Sequence, residues 1–384
     1  MTAQRDPWLD NAKMALVTLV VVGHAWVLLP EDRLGGTVSH LYDFLYAWHV
    51  PAFVFVTGYL SRSFDYSRRR LWQLVRTVAV PYVVFECAIA LFRIHVGGER
   101  LQDLFADPHW PMWYLSALFF WRLLTPIFKR LPAAVPVAVA ISLGAGLMAG
   151  NTLDAARVLG LLPFFVMGLV ATPERLELLR RRPVQVAAVG VFAGIAVLSS
   201  YTDRLASTEW LYYRTRYGEL DVSDARAFAI RAVLLLVGTL GAWAFLALVP
   251  RVGGWFTRLG AMTLVVYLFH GFAIKGVQYA GYPDWAAEHP LVALVVTTLG
   301  AVVLALLLAC RPVAGFLQHL VDPVGYAQGR MGHAVHLHRV ATRVEHRAAR
   351  HRRAREVSTG EDAAAQSRSL RAMHAHDSHE AASR

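Results

Sequence analysis

The chain has 384 residues, of which 56% are hydrophobic and only 17% are charged. Because soluble domains carry about 25% charged residues, this composition excludes a water-soluble globular enzyme and indicates an integral membrane protein. The formal net charge of +11 lies mainly in the loops and the C-terminal region, where it favours contact with anionic lipid rather than with nucleic acid.

The first apolar segment, residues 14–29, and the lysine that precedes it place two ionisable residues on one helix face. Lys13 and His24 are eleven residues apart, and at about 100° per residue the helix returns to nearly the same azimuth. We therefore expect Lys13 at one membrane surface and His24 about 16 Å along the axis, within the hydrocarbon. An ionisable side chain at that depth is costly and marks a candidate functional site. The segment lacks the features of a cleavable signal peptide, so we expect it to be a span.

The second predicted span, residues 42–60, places His49 at a depth that matches His24. Two histidines at equal depth on consecutive antiparallel helices can face each other across a cavity. A neutral imidazole can accept the proton of an alcohol that attacks a carbonyl, which suits group transfer to a hydroxyl. The alternative is that each histidine is a core residue bonded to a backbone carbonyl or a hydroxyl. The pair, taken together with Lys13, favours the functional interpretation.

Eight further apolar segments are long enough to span a bilayer, which predicts an all-α integral membrane protein with about ten transmembrane helices. With ten spans the most basic loops all fall on one side, so the positive-inside rule predicts that both termini are cytoplasmic. The eight segments are residues 74–96, 112–128, 133–149, 155–171, 184–200, 228–249, 258–280 and 290–310.

Basic residues near the predicted cytoplasmic surface are candidates for binding an anionic donor. Lys13 can bind such a group, with Asp10 three residues earlier to orient it. Arg70 and Arg76 suit phosphates, since guanidinium groups bind them bidentately. The alternative for this arginine cluster is ordinary positive-inside charge, and that explanation is weaker for Arg76, which lies deeper in the span.

Further polar and aromatic residues lie within the spans or at the outer surface. Glu86 either forms a structural ion pair or relays a proton, and His270 falls near the middle of the membrane. Trp113 and Tyr114 are either interfacial anchors or a platform that stacks on a sugar. The ionisable residues inside predicted spans are Glu86, Arg122, His270 and Lys275. The candidate substrate contacts are Asp10, Glu86, Trp113, Tyr114 and His270.

The composition changes after the last span, so we divide the chain into a transmembrane domain at residues 8–325 and a tail at residues 326–384. The tail is rich in Ala, Arg, His and Ser and is predicted to be basic, cytoplasmic and mostly disordered. Residues 330–356 could form a basic helix on the membrane surface. His374, His376 and His379 lack a convincing ligand spacing, so we expect no metal.

These segments, in this order and spacing, resemble the acyltransferase 3 family of integral-membrane O-acyltransferases, in particular its fucose 4-O-acetylase-like branch. The resemblance runs through most of residues 8–275, with one departure at Thr57, where a serine is expected before Gly58. The matching pieces are Trp8-Leu9-Asp10, Lys13, Val22-Gly23-His24, residues 48–60, Arg70, Arg76, Pro81-Tyr82, Trp113-Tyr114-Leu115, residues 162–168, Leu259-Gly260 and residues 267–270.

The resemblance implies an acyl-CoA donor, usually acetyl-CoA, bound from the cytoplasm, and a hydroxyl acceptor on a carbohydrate or related molecule. It assigns donor binding to Lys13, Arg70 and Arg76, and catalysis to His24 and His49. We therefore expect a multi-pass O-acyltransferase of a bacterial plasma membrane. In this hypothesis His24 is the general base, and His49 shares that role or holds the acceptor.

Two other classes of protein are alternatives. In a transporter or acyl-group exporter the buried charges would line a permeation path, although residues 1–170 and 171–325 show no convincing repeat. A structural or regulatory membrane protein would act through its basic tail. The sequence leaves open the acceptor, the acyl group and the oligomeric state. It contains no Gly-x-Ser-x-Gly nucleophile motif in a suitable context, which favours direct transfer over an acyl-enzyme.

Overall fold

The computed structural model describes residues 6–30, 36–101, 106–148, 150, 152–205 and 207–322, together with the single residues 325 and 369. Every regular element in these ranges is helical, which confirms the predicted all-α class. The α-helices are α1 (Pro7–Trp26), α2 (Thr37–Tyr46), α3 (His49–Leu60), α4 (Arg68–Leu74), α5 (Val80–His95), α6 (Trp113–Phe128), α7 (Ala134–Met148), α8 (Ala155–Gly160), α9 (Leu162–Val170), α10 (Pro173–Glu177), α11 (Arg182–Ser199), α12 (Thr202–Leu205), α13 (Asp224–Leu248), α14 (Trp255–Leu259), α15 (Thr263–Tyr279), α16 (Tyr282–Glu288), α17 (Pro290–Ala309) and α18 (Arg311–Val321).

Shorter helical segments connect several of these elements. A π-helical segment, Val75–Ala79, joins α4 to α5, and 3₁₀ segments lie at Thr152–Asp154, Leu178–Arg180, Thr208–Tyr212 and Tyr217–Glu219. The chain divides into two units, residues 1–322 and residues 323–384, and all the helices named above belong to the first. The predicted tail from residue 326, including His374, His376 and His379, lies outside the described residues apart from residue 369.

Each predicted span coincides with helix, but three of them are broken. The second is divided into α2 and α3 because Trp48 has a non-helical backbone, with φ −137° and ψ −28°. The sixth is the pair α8 and α9, bent by 56°, and Pro163 in the first turn of α9 cannot donate a helical hydrogen bond. The ninth is divided into α14 and α15. Helix α18, after the tenth span, was not predicted.

Four helical stretches are long and apolar enough to cross a membrane: Arg68–His95, Arg182–Ser199, Asp224–Leu248 and Pro290–Ala309. The bent pair α8 and α9 is a fifth if it acts as one span. Other predicted spans are shorter or more polar. Helix α3, for example, has 12 residues, about 18 Å of helix against a hydrocarbon core of about 30 Å. The described residues thus support an all-helical membrane protein, whereas ten spans and cytoplasmic termini stay predictions.

Two glycines allow α3 and α9 to cross in backbone contact. A Cβ atom on Gly58 would lie 2.0 Å from the carbonyl oxygen of Phe165, and one on Gly168 would lie 2.0 Å from that of Phe55. Small residues at such a crossing let membrane helices pack closely, as lipid offers them no hydrophobic driving force. This contact fixes the depth of α3 and of the histidine at its start.

Helix α1 is anchored at its N-terminal end against the end of α13. The side chain of Asp6 accepts a hydrogen bond of 2.9 Å from the backbone N–H of Trp8 and caps the helix. Trp8 Nε1 donates to the carbonyl of Leu246 at 3.1 Å, and Asn11 Nδ2 donates to the carbonyl of Pro250 at 2.8 Å. These bonds set the axial position of α1 and of the residues that follow.

Candidate active site

A cavity of about 700 Å³ is lined by parts of α1, α2, α3, α6, α8 and α15 and by the 3₁₀ segments Thr208–Tyr212 and Tyr217–Glu219. We call it the histidine cavity because His24 and His49 both line it. An aromatic wall with a few convergent polar groups is typical of a small-molecule site. The other aromatic and ionisable residues that line it are Tyr42, Tyr46, Phe53, Trp110, Trp113, Tyr114, Arg157, Glu209, Tyr212, Arg214, Glu219 and Tyr267.

A chain of hydrogen bonds orients the ring of His24. Nδ1 of His270 lies 3.1 Å from the carbonyl oxygen of Val266, and since a carbonyl only accepts, this nitrogen carries the proton. In the neutral ring Nε2 of His270 is then an acceptor, and Nδ1 of His24 lies 2.8 Å from it. Nδ1 of His24 therefore donates, and its Nε2 keeps a free lone pair. That tautomer is the one a general base needs.

His49 is held in the corresponding tautomer. Its Nδ1 lies 2.7 Å from the carbonyl oxygen of Leu45, one turn earlier, so Nδ1 donates and Nε2 can accept. The ring of Tyr46 packs edge-on against it, with centroids 4.7 Å apart. The ring of Trp110 packs against that of His24, with centroids 4.5 Å apart. Both histidines are buried and each retains one ring nitrogen that can accept a proton from a ligand.

A second cavity, of about 320 Å³, lies farther toward the N-terminal end of α1. Lys13 and Arg122 line it, and we call it the lysine cavity. Nζ of Lys13 lies 2.8 Å from Oδ1 of Asp10, as expected if Asp10 orients the lysine. No carboxylate is among the described residues that line this cavity. Its lining charge is therefore positive, which suits an anionic ligand.

The two cavities lie in series and share part of their lining. Along α1, Lys13 and Leu16 line the lysine cavity, whereas Val20 and His24 line the histidine cavity. Three aromatic side chains line both cavities, one each from α3, α6 and α15: Phe53, Tyr114 and Tyr267. A ligand that entered the lysine cavity would meet this aromatic layer before it reached His24.

The remaining predicted site residues are placed as follows. Trp113 and Tyr114 line the histidine cavity. Arg70, Arg76, Glu86 and His270 are not among the described residues that line either cavity.

Three of these four residues make contacts of other kinds. Nη2 of Arg76 pairs with Oδ2 of Asp322 at 2.8 Å. Glu86 accepts hydrogen bonds from the backbone N–H and the ring of His109. It thereby fixes the segment that carries Trp110 into the histidine cavity. His270 contacts His24 rather than the cavity itself.

Sequence reasoning gave no role to three arginines that line the cavities: Arg122, Arg157 and Arg214. Arg122 follows Leu115 and Leu118 at the i, i+3, i+7 spacing of one helix face, and this spacing could have placed it beside Tyr114. Nη1 of Arg157 lies 2.7 Å from Oδ2 of Asp154, and its guanidinium lies 5.0 Å from the ring centre of Trp113. No helical period predicts the position of Arg157, because it lies in the short helix α8, between the irregular Thr152–Asp154 segment and the bend to α9.

Comparison with known proteins assigns the chain to a family. The family model described as an acyltransferase domain matches residues 6–310, a range that includes both cavities. Nodulation protein NolL of Mesorhizobium japonicum is 24% identical over 354 residues, which cover 83% of this chain and 91% of that protein. No solved structure matches the chain. The resemblance found in the sequence is thus confirmed: the chain belongs to the acyltransferase 3 family and is a membrane acyltransferase.

Proposed function

We propose that the protein transfers a short acyl group from acyl-CoA to a hydroxyl of a carbohydrate or related acceptor, as a multi-pass enzyme of a bacterial plasma membrane. The observation that carries the proposal is the serial arrangement of the two cavities, one lined by cations and the other by two oriented histidines. Such an arrangement lets an anionic donor and a hydroxyl acceptor approach the same point from opposite sides.

The donor occupies the lysine cavity in this proposal. Lys13 and Arg122 bind the phosphates of CoA, and Asp10 holds the ammonium group in place at 2.8 Å. The positive-inside rule puts this end of α1 at the cytoplasmic surface, where CoA thioesters are available. Arg70 and Arg76, which lie outside the lining of the cavity, would contact the donor only at the membrane surface.

The acceptor occupies the histidine cavity. Nε2 of His24 takes the proton of the acceptor hydroxyl while its oxygen bonds to the thioester carbonyl carbon. The carbon–sulfur bond then breaks, and the proton passes from His24 to the leaving thiolate, which gives the ester and free CoA. His49 accepts a hydrogen bond from a second hydroxyl of the acceptor and so positions it. Trp113 supplies an aromatic face on which a sugar ring can stack. His270 acts through His24 by fixing its tautomer.

The experiment that tests the proposal follows label from radioactive acetyl-CoA into alkali-labile esters in membranes that contain the protein. Wild type and His289→Ala, which changes an exposed histidine at the end of α16, are expected to form labelled ester. His24→Ala at equal expression is expected to form none. Equal labelling by His24→Ala would remove His24 from the mechanism.

The same membranes test the exporter alternative, because two cavities in series are also what a permeation path requires. An exporter would carry the labelled acyl group across the membrane without attaching it to a hydroxyl. Label that crosses the membrane as acetyl-CoA or free acetate, with no oxygen ester formed, would favour the exporter over the transferase.

A further inference from the structure

The layer between the two cavities is one aromatic side chain thick. The rings of Phe53 and Tyr114 meet edge to face with centroids 5.0 Å apart. Those of Tyr114 and Tyr267 lie 5.6 Å apart. Since all three rings line both cavities, a group that passes from one cavity to the other must pass beside or displace one of them.

Two of the three rings are tethered by hydrogen bonds. The hydroxyl of Thr57 donates to the carbonyl of Phe53 at 2.9 Å, so its oxygen is left to accept a hydrogen bond from the hydroxyl of Tyr114. The hydroxyl of Tyr267 donates to the carbonyl of Pro111. The ring of Phe53 has no polar atom and is held by packing alone, which makes it the ring that yields most readily.

We propose that this aromatic layer sets the length of the acyl group that the enzyme accepts, with Phe53 as the main determinant. The inference rests on the proposed function. In the proposed mechanism the acceptor hydroxyl attacks from the histidine cavity while CoA stays in the lysine cavity, so the thioester carbon lies at the layer between them. The acyl chain branches from that trigonal carbon and must therefore lie against the rings of the layer. An acetyl group adds one methyl there, whereas each further methylene has to occupy space that the Phe53 ring fills. Close-packed interiors do not absorb such volume without strain.

The test compares acetyl-CoA with butyryl-CoA as labelled donors in membranes that carry wild type or Phe53→Ala. Wild type is expected to prefer acetyl by at least about tenfold. In Phe53→Ala the ratio of butyryl to acetyl transfer is expected to rise about tenfold or more, because loss of the phenyl ring leaves space in the layer for the longer acyl chain. Phe53→Leu, which keeps an apolar side chain, is expected to show a smaller rise in the same direction if the alanine variant folds poorly.

The matched control is Phe192→Ala, since Phe192 packs against Phe44 and Trp48 and lines neither cavity. It is expected to keep the acyl preference of the wild type. Wild-type transfer of butyryl as fast as acetyl, or an unchanged ratio in both Phe53 variants, would overturn the inference. Failure of wild type to transfer either group would instead overturn the proposed function.

Discussion

At the scale of single residues, the fixed tautomers of His24 and His49 are the central feature of the proposed mechanism. The carbonyl of Val266 determines which nitrogen of His270 carries a proton, and His270 in turn determines this for His24. The hydrogen bond between His24 and His270 links two residues that are 246 positions apart in the chain. A base whose proton-accepting nitrogen is fixed before substrate arrives needs no rearrangement at the moment of transfer.

Loss of His270 is expected to slow catalysis without weakening donor binding. His270→Ala removes the acceptor for Nδ1 of His24 but leaves His24 itself, so kcat should fall about 10–100-fold, less than the full contribution of about 10²–10⁴ that a general base makes. KM for acyl-CoA should stay within about twofold, because His270 is not among the described residues that line the lysine cavity. Steady-state kinetics in detergent measure both constants.

His270→Gln provides the control for this prediction. A glutamine can donate from its amide nitrogen and accept at its oxygen, so it is expected to recover part of kcat. A purely structural role for His270 would instead lower the yield of folded enzyme and leave kcat of the remaining enzyme intact.

The sequence was sufficient to predict that His24 and His49 lie near each other, because depth in two consecutive spans can be counted along the chain, and both line the histidine cavity. It could not reveal the contact between His24 and His270, which depends on how α1 packs against α15. The role of Arg157 was also out of reach, since its position follows from the irregular Thr152–Asp154 segment rather than from a period.

At the scale of helices, the crossing of α3 and α9 should be intolerant of any side chain. Gly58→Ala places a Cβ atom 2.0 Å from the carbonyl oxygen of Phe165, and backbone cannot move aside cheaply. We expect a loss of about 1–3 kcal/mol in stability, seen as a lower Tm in detergent. Gly190→Ala is the control, because no atom lies within 4 Å of a Cβ there and alanine favours helix by about 0.5–1 kcal/mol. Equal Tm values for the two variants would contradict the crossing.

The carboxylate of Glu99, in the loop after α5, joins this loop to α15, and the contribution of its charge to stability can be tested. Although burial raises the pKa of Glu99, hydrogen bonds from Arg93, Tyr279 and Lys275 outweigh it and hold the pKa at about 2. The folded pKa lies below the ordinary value of 4.5. The ionised group therefore stabilises the fold above about pH 4.5, and this contribution is lost as the pH falls toward 2.

Glu99→Gln is accordingly expected to lower stability at pH 7 by about 1 kcal/mol, the size of a partly solvated charged hydrogen bond. The difference in Tm between variant and wild type should shrink between pH 4.5 and pH 2. Glu288→Gln, at an exposed position in α16, should leave Tm unchanged throughout. A difference for Glu99→Gln that stays constant with pH would show that its charge plays no part.

The positions of the helices were largely predictable from apolar length, because each predicted span contains helix. The breaks within three of the spans were harder to predict. Gly260, at the end of α14, shows why: a Cβ atom there would lie 2.2 Å from the carbonyl oxygen of Asp10, so the interruption between α14 and α15 lies at a close contact with α1. Packing against another helix leaves no mark in the local hydropathy of the segment.

At the scale of the whole molecule, the arrangement of the two cavities explains why the proposed functional residues are spread along α1. Lys13 and His24 serve different cavities and different substrates in the proposed mechanism, separated by the aromatic layer. Composition predicted the membrane class, and the order of motifs predicted the family. The cavities themselves required the three-dimensional packing of α1, α3, α6 and α15, which no single segment specifies.

The most direct test of whether donor binding and proton transfer belong to different cavities is a comparison of kcat and KM for acetyl-CoA in Lys13→Gln and His24→Gln. Lys13→Gln is expected to raise KM about tenfold or more with kcat within a few-fold, because it removes a charged contact to phosphate. His24→Gln is expected to lower kcat about 10²–10⁴-fold with KM nearly unchanged. If both variants altered the same constant, or if His24→Gln kept the kcat of the wild type, donor binding and proton transfer would not be divided between the two cavities.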